Sequence, residues 1–226
     1  MIRTTLILIF LAVVGAAVAV IVGGVRIAGD GPHTVQTRTV GAFDRVDLRG
    51  STDVVVIRGR GRGTPGTLAV SGGRNRVRAV TTRVQSGTLI VEDRDSDATL
   101  HLWGDGATVT VSTPSLVSAR LDGSGDLSVA GLAGGPLRIR GDGSGDVDVH
   151  GRLDSLDAVE DGSGDLHLGD VVAQSATVNL AGSGDADLHA VRTLSAVVSG
   201  SGDVSYAGDP RVTRRDVSGS GDLSQS

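Results

Sequence analysis

Asp148, His150, His167, Asp187 and His189 are the residues of this chain whose types and spacing could do chemistry. Imidazole and carboxylate together ligate metal ions or move protons. Asp148, His167 and Asp187 follow one another at 19 and 20 residues, and His150 and His189 each lie two residues beyond an aspartate. If one turn of a coil consumes that many residues, they stack in an outward column: Ser128, Asp148, His167, Asp187, Ser205. The histidine then sits between two carboxylates, and a neighbouring column brings His150 and His189 to the same patch. Carboxylates so placed predict a raised pKa for His167. The plainer reading is a solvated face on which charge alternates favourably across strands, and it is preferred. No catalytic, cofactor-binding or metal-ligating role is assigned, and the five residues stand as candidates for surface binding.

The element that must position them is a repeat. Gly-Ser-Gly-Asp occurs six times, at 123–126, 143–146, 162–165, 182–185, 200–203 and 219–222, with starts 18 to 20 residues apart. A period this short makes each unit one piece of supersecondary structure that buries its apolar face only by stacking. Each tetrapeptide is followed by alternating apolar and polar residues, such as Leu166-His167-Leu168, and a second alternating segment precedes the next copy, such as Leu137-Arg138-Ile139. Both read as strands with one buried face. The predicted fold is all-β: a parallel β-helix-like solenoid with rungs of about 19–20 residues and strands about 4.8 Å apart.

The tetrapeptide reads as the corner. Glycine supplies positive φ and close backbone approach, and Ser and Asp can bond the turn backbone. The alternative is that the column Asp126, Asp146, Asp165, Asp185, Asp203 and Asp222 binds cations. Neighbouring carboxylates about 5 Å apart repel by roughly 0.8 kcal/mol in water, so the column needs hydration, bonds to the corner or a counterion. Calcium-binding β-rolls repeat every nine residues, which this spacing does not match. Asp93-Arg94-Asp95-Ser96-Asp97 starts like an EF-hand loop but has Ala98 and Gly104 where glycine and glutamate are required. No cofactor is assigned, with Ca²⁺ kept as the candidate.

Only four aromatic residues are present, so the core must be thin and aliphatic, and the absence of cysteine excludes disulfides and thiolate chemistry. From Leu6 to Val25 the chain is uncharged and almost wholly apolar, about the length that spans a bilayer. Residues 1–27 are therefore expected to be a signal peptide or hydrophobic membrane-anchoring helix, 28–37 a linker and 38–226 the solenoid, regular from about 113. The net charge of −5 is divided: residues 38–94 carry eleven Arg and five acids, residues 95–226 eight Arg and twenty acids. Arg58-Gly59-Arg60-Gly61-Arg62-Gly63 and Arg74-Asn75-Arg76-Val77-Arg78 lack the aromatic partners of a nucleic-acid site and read as loop and edge charges.

Further landmarks complete the pattern. The segment Phe43 to Val56 opens the domain with a degenerate repeat around Gly50-Ser51-Thr52-Asp53, Thr113-Pro114-Ser115-Leu116 leads into the regular part, and Val204 to Pro210 lies near its end. With the tetrapeptides, these make residues 38–226 resemble the head GIN domain family, a bacterial extracytoplasmic group described as auto-transporter adhesins. The resemblance implies a β-helix-like fold and brings no catalytic motif. The expected role is non-enzymatic: an adhesin-like scaffold in the periplasm or at the cell surface, binding envelope polysaccharide or surface protein, held at the membrane by its N-terminal segment or secreted, and without nucleic acid. The alternative is a carbohydrate-active lyase or hydrolase on a β-helix.

Overall fold

The computed structural model describes residues 32–59, 66–93 and 106–226. The expected N-terminal hydrophobic helix, the arginines at 60 and 62 and the carboxylates at 95 and 97 lie outside them. Among the described residues no helix is long and apolar enough to cross a membrane.

The chain is an all-β solenoid of about five turns. Its first part contains strands β1 (His33–Val40), β2 (Arg45–Gly50), β3 (Asp53–Arg58) and β4 (Gly66–Gly73), a short helix α1 (Arg74–Ala79), then β5 (Val80–Gln85), β6 (Thr88–Asp93) and β7 (Thr108–Thr113). The regular part continues with β8 (Ser118–Gly123), β9 (Leu127–Ala133), β10 (Pro136–Gly141), β11 (Val147–Glu160), β12 (Leu166–Leu180), β13 (Ala186–Val198), β14 (Val204–Ala207), β15 (Arg211–Val217) and β16 (Leu223–Gln225). Strands that follow a tetrapeptide stack as a front sheet, and strands that precede one stack as a back sheet. β11, β12 and β13 run along the front, round a second corner and along the back.

All ladders of the regular part are parallel, with Leu127, Val147, Leu166, Ala186, Val204 and Leu223 in one inward column. A back-sheet column alternates larger and smaller side chains: Ile139, Ala158, Val178, Ala196. All are buried, and the fit of large against small keeps an aliphatic core dense with almost no rings.

The beginning departs from the repeat. β1 pairs with β4, β4 with β7 and β5 with β6, all antiparallel. β1 takes His33–Thr37 into the sheet, so pairing begins before residue 38. The basic run at 74–78, expected as a loop or edge, is α1, whose Val77 is buried in the core. Antiparallel pairing and a helical lid close the first rung, a task the interior period does not encode.

The corners show why Gly-Ser-Gly-Asp recurs. A Cβ on Gly143 would lie 1.9 Å from the carbonyl oxygen of Gly123, and one on Gly164 2.0 Å from that of Gly145. Close approach of successive backbones, rather than backbone handedness, is the dominant requirement: of the tetrapeptide glycines only Gly123 and Gly219 have positive φ. The stacked corners are joined by backbone bonds such as Ser144 N to Gly123 O at 2.8 Å and Ser163 N to Gly143 O at 2.9 Å.

Aspartate completes the joint. The Asp126 N–H donates to Oδ1 of Asp53, Asp146 to Asp126, Asp165 to Asp146, Asp185 to Asp165, Asp203 to Asp185 and Asp222 to Asp203, at 2.8–3.1 Å. Each carboxylate thus satisfies an N–H that has turned away from the sheet ladder. Below the first corner Asp93 plays this part, its Oδ2 accepting from Ser51 N at 2.6 Å and its Oδ1 from the Thr52 hydroxyl. The residue that opens the EF-hand-like run is therefore committed to holding a corner.

Candidate functional site

The front sheet places Ser128, Asp148, His167, Asp187 and Ser205 in one outward column, as 19- and 20-residue turns demand. Alternation fixes which way these side chains point, since Leu166 and Leu168 on either side of His167 are buried. His167 Nδ1 lies 3.2 Å from Asp187 Oδ1. The other oxygen of Asp187 accepts the N–H of Gly169 at 2.8 Å, so one carboxylate orients the imidazole and anchors the backbone beside it. Partial burial lowers the pKa of His167. The hydrogen bond that the protonated ring donates to Asp187 and the charges of Asp148, Asp187 and Asp146 outweigh it and leave the pKa raised.

The neighbouring column is interrupted. Between β12 and β13 the register jumps from Leu168 opposite Leu188 to Val172 opposite His189. His189 therefore pairs with Val172 and Ala207, and the expected continuous column of His150 with His189 does not form. The extra residues 169–171 interrupt the ladder to β13, with Val171 still buried and paired with Gly151, and carry Asp170 to His150, Nδ1 to Oδ2 3.3 Å. A Cβ at Gly169 would meet Asp187 Oδ2 at 2.3 Å, so glycine there leaves the carboxylate its place against the Gly169 N–H. The patch thus holds two histidine–aspartate pairs. Sequence reasoning missed Asp170, although its rung is two residues longer than that of β13, where such a bulge arises.

Among the described residues no group of three or more histidine and acidic side chains is arranged to hold a metal ion. Two recesses, of about 250 and 940 Å³, lie elsewhere. The larger is a groove between β3, β9 and the Thr113–Val117 segment, lined by Ile57, Leu116 and Leu132 among others. None of Asp148, His150, His167, Asp187 or His189 lines either recess, and the pairs stand on an open sheet face.

Glu160 is the buried titratable group that the sequence reading passed over. It occupies an inward back-sheet column between Gly141 and Leu180 and is 1% exposed. Its Oε1 accepts the N–H of Gly162 at 2.8 Å, and its carboxyl fills the space that a side chain at Gly141 would take. Burial pushes its pKa up to about 7. The Gly162 bond opposes the rise, and the charges of Asp142, Asp161 and Asp146 add to it.

A family model described as "Putative auto-transporter adhesin, head GIN domain" matches residues 42–210. The chain belongs to this head GIN domain family. Solved structures similar to it include a "putative adhesin" from Bacteroides fragilis, with TM-score 0.69 and 20% identity over 86% of this chain and 97% of that one. A "putative adhesin" from Parabacteroides distasonis has TM-score 0.53 and 21% identity over 88% and 98%. A "putative lipid binding protein" from the same species has TM-score 0.54 and 20% identity over 88% and 98%. At these identities the likeness is one of fold. No functionally curated protein matches the chain.

Proposed function

We infer that this head GIN solenoid is a non-enzymatic, adhesin-like scaffold displayed outside the cytoplasm, tethered by its N-terminal apolar run, and that its front face binds envelope polysaccharide or surface protein. The observation that carries this reading is the placement of the Asp148–His167–Asp187 column. These groups recur at strand spacing, about 4.8 Å, on an open face of a rigid sheet. Such an array suits multiple weak contacts along an extended ligand and does not surround a substrate as a catalytic pocket must. Glycosidases work with two carboxylates on either side of one bond, whereas these stand in line on one surface.

The test is saturation binding and product analysis on a panel of cell-wall and capsular polysaccharides. Saturable binding without new reducing ends or unsaturated products, weakened in Asp148→Asn with His167→Gln, supports the scaffold. Turnover of any member of the panel would overturn it.

A further inference from the structure

We propose that the N-terminal end of the solenoid docks on the anionic headgroups of a lipid bilayer through Arg74 and Arg78 of α1, beside edge strand β1. This rests on the reading of residues 6–25 as a membrane tether.

The layer that closes the first rung is made of β1, β4, α1 and β5. Residues 32–40 and 66–85, which contain all four, hold five arginines and no Asp or Glu. Arg38 is turned inward, donating to the carbonyls of Val77 and Val80 at 3.0 and 2.8 Å. Arg83 pairs with Glu92 of β6. Arg74 and Arg78 are exposed, with no ion-pair partner among the described residues, and their four-residue separation puts them on one side of α1. Buried Val77 holds α1 against the core. Val35 of β1, in the same layer, is 55% exposed.

The tether leaves from the same place. His33 is opposite Gly73, the residue before Arg74. Six residues, 26–31, separate the apolar run from residue 32 and can span at most about 25 Å. A chain anchored through Leu6–Val25 therefore holds this acid-free layer within one short linker of the headgroups. There each arginine adds attraction to anionic lipid, falling off within a Debye length. Residues 106–226, with eight Arg and seventeen acids a net of −9, supply the turns stacked beyond and are repelled by the same surface, so the axis stands upright. Six strand spacings separate β1 from β12 along the front sheet, which puts His167 about 29 Å farther out.

The full chain lacks cysteine, so single labels can be introduced at exposed Asn75 and, as a far-end control, Ser224. The labelled protein is reconstituted in vesicles of phosphatidylcholine alone or with phosphatidylglycerol, and quenching by headgroup-labelled lipid is read. The position-75 label should be quenched in the phosphatidylglycerol vesicles, lose quenching in high salt, and be released about fivefold by each of Arg74→Gln and Arg78→Gln. The label at 224 should stay unquenched. Quenching at 75 that is absent, equal in phosphatidylcholine alone, or unchanged in the double variant overturns the docking while leaving the tether intact. Alkaline carbonate extraction reads the tether separately. A chain that washes out refutes the anchor and the docking with it, since two arginines alone do not hold a protein to a vesicle.

Discussion

Replacing Glu160 by Gln should change the pH dependence of stability more than any surface substitution. The carboxyl is 1% exposed, set among Leu121, Leu180 and Val198 in the inward register, with one hydrogen bond from Gly162. Its pKa rises from the ordinary 4.5 to about 7. Between those values the folded chain holds a proton that the unfolded chain has released, so stability falls as pH rises through the window and levels off above it. A shift of about 2.5 units corresponds to about 3 kcal/mol. The amide keeps an oxygen for the Gly162 N–H and cannot ionise. E160Q and the parent should therefore be of similar stability near pH 4.5, and by pH 8.5 the variant should be ahead by about 3 kcal/mol. For a chain of this size that is roughly 6–12 °C in Tm. Thermal unfolding of both proteins at matched pH values tests it, with the difference between the curves removing every other titration. Parallel curves across the whole range would refute the reasoning, because they would mean that Glu160 ionises in the folded state at no cost.

Three further expectations follow from the corners and the column. Asp165→Ala should cost about 1–2 kcal/mol by stranding the Asp185 N–H. Asp165→Asn should cost little, and Asp222→Ala, whose carboxylate accepts no backbone N–H among the described residues, less than about 0.5; urea titration ranks them. Gly143→Ala drives a methyl to 1.9 Å from a backbone oxygen and should cost about 3 kcal/mol or more. Gly135→Ala meets only open space at φ +88 and should cost about 1–2. For His167 the raised pKa stabilises the fold fully below the unfolded value and ceases to do so as pH rises through the folded one. Asp187→Ala should lower that pKa in an NMR titration and speed hydrogen exchange at Gly169, whose N–H it leaves unpaired.

Much of the fold was legible because the period and the alternation are both linear signals. The spacing of six tetrapeptides fixed which residues stack, and Leu-His-Leu at 166–168 told in from out. Glu160 was equally legible in principle: it ends the alternation Leu156, Ala158, Glu160 on the inward side, and Gly141 one rung earlier leaves its space. Hydropathy read residue by residue hides it, because a carboxyl reads as outward. The Gly169–Val171 bulge was not legible, since a longer unit can place its extra residues anywhere in the turn and Asp187, on the next rung, decides where. Nor was the antiparallel start, because β1 and β4 owe their pairing to the need to close an end and share no motif with the repeat.

The aspartate ladder has a direction. From Asp53 to Asp203 each carboxylate of the ladder serves the corner that comes after it in sequence, so every new turn finds its acceptor already in place on the turn before. A chain delivered N-terminus first can add one finished turn at a time without waiting for a distant segment. The joint is also the same at every step, so duplicating or deleting one unit of the gene leaves each remaining acceptor with a donor. Length is therefore a quantity that selection can adjust in whole turns, reaching farther from the same base with the chemistry of the scaffold unchanged.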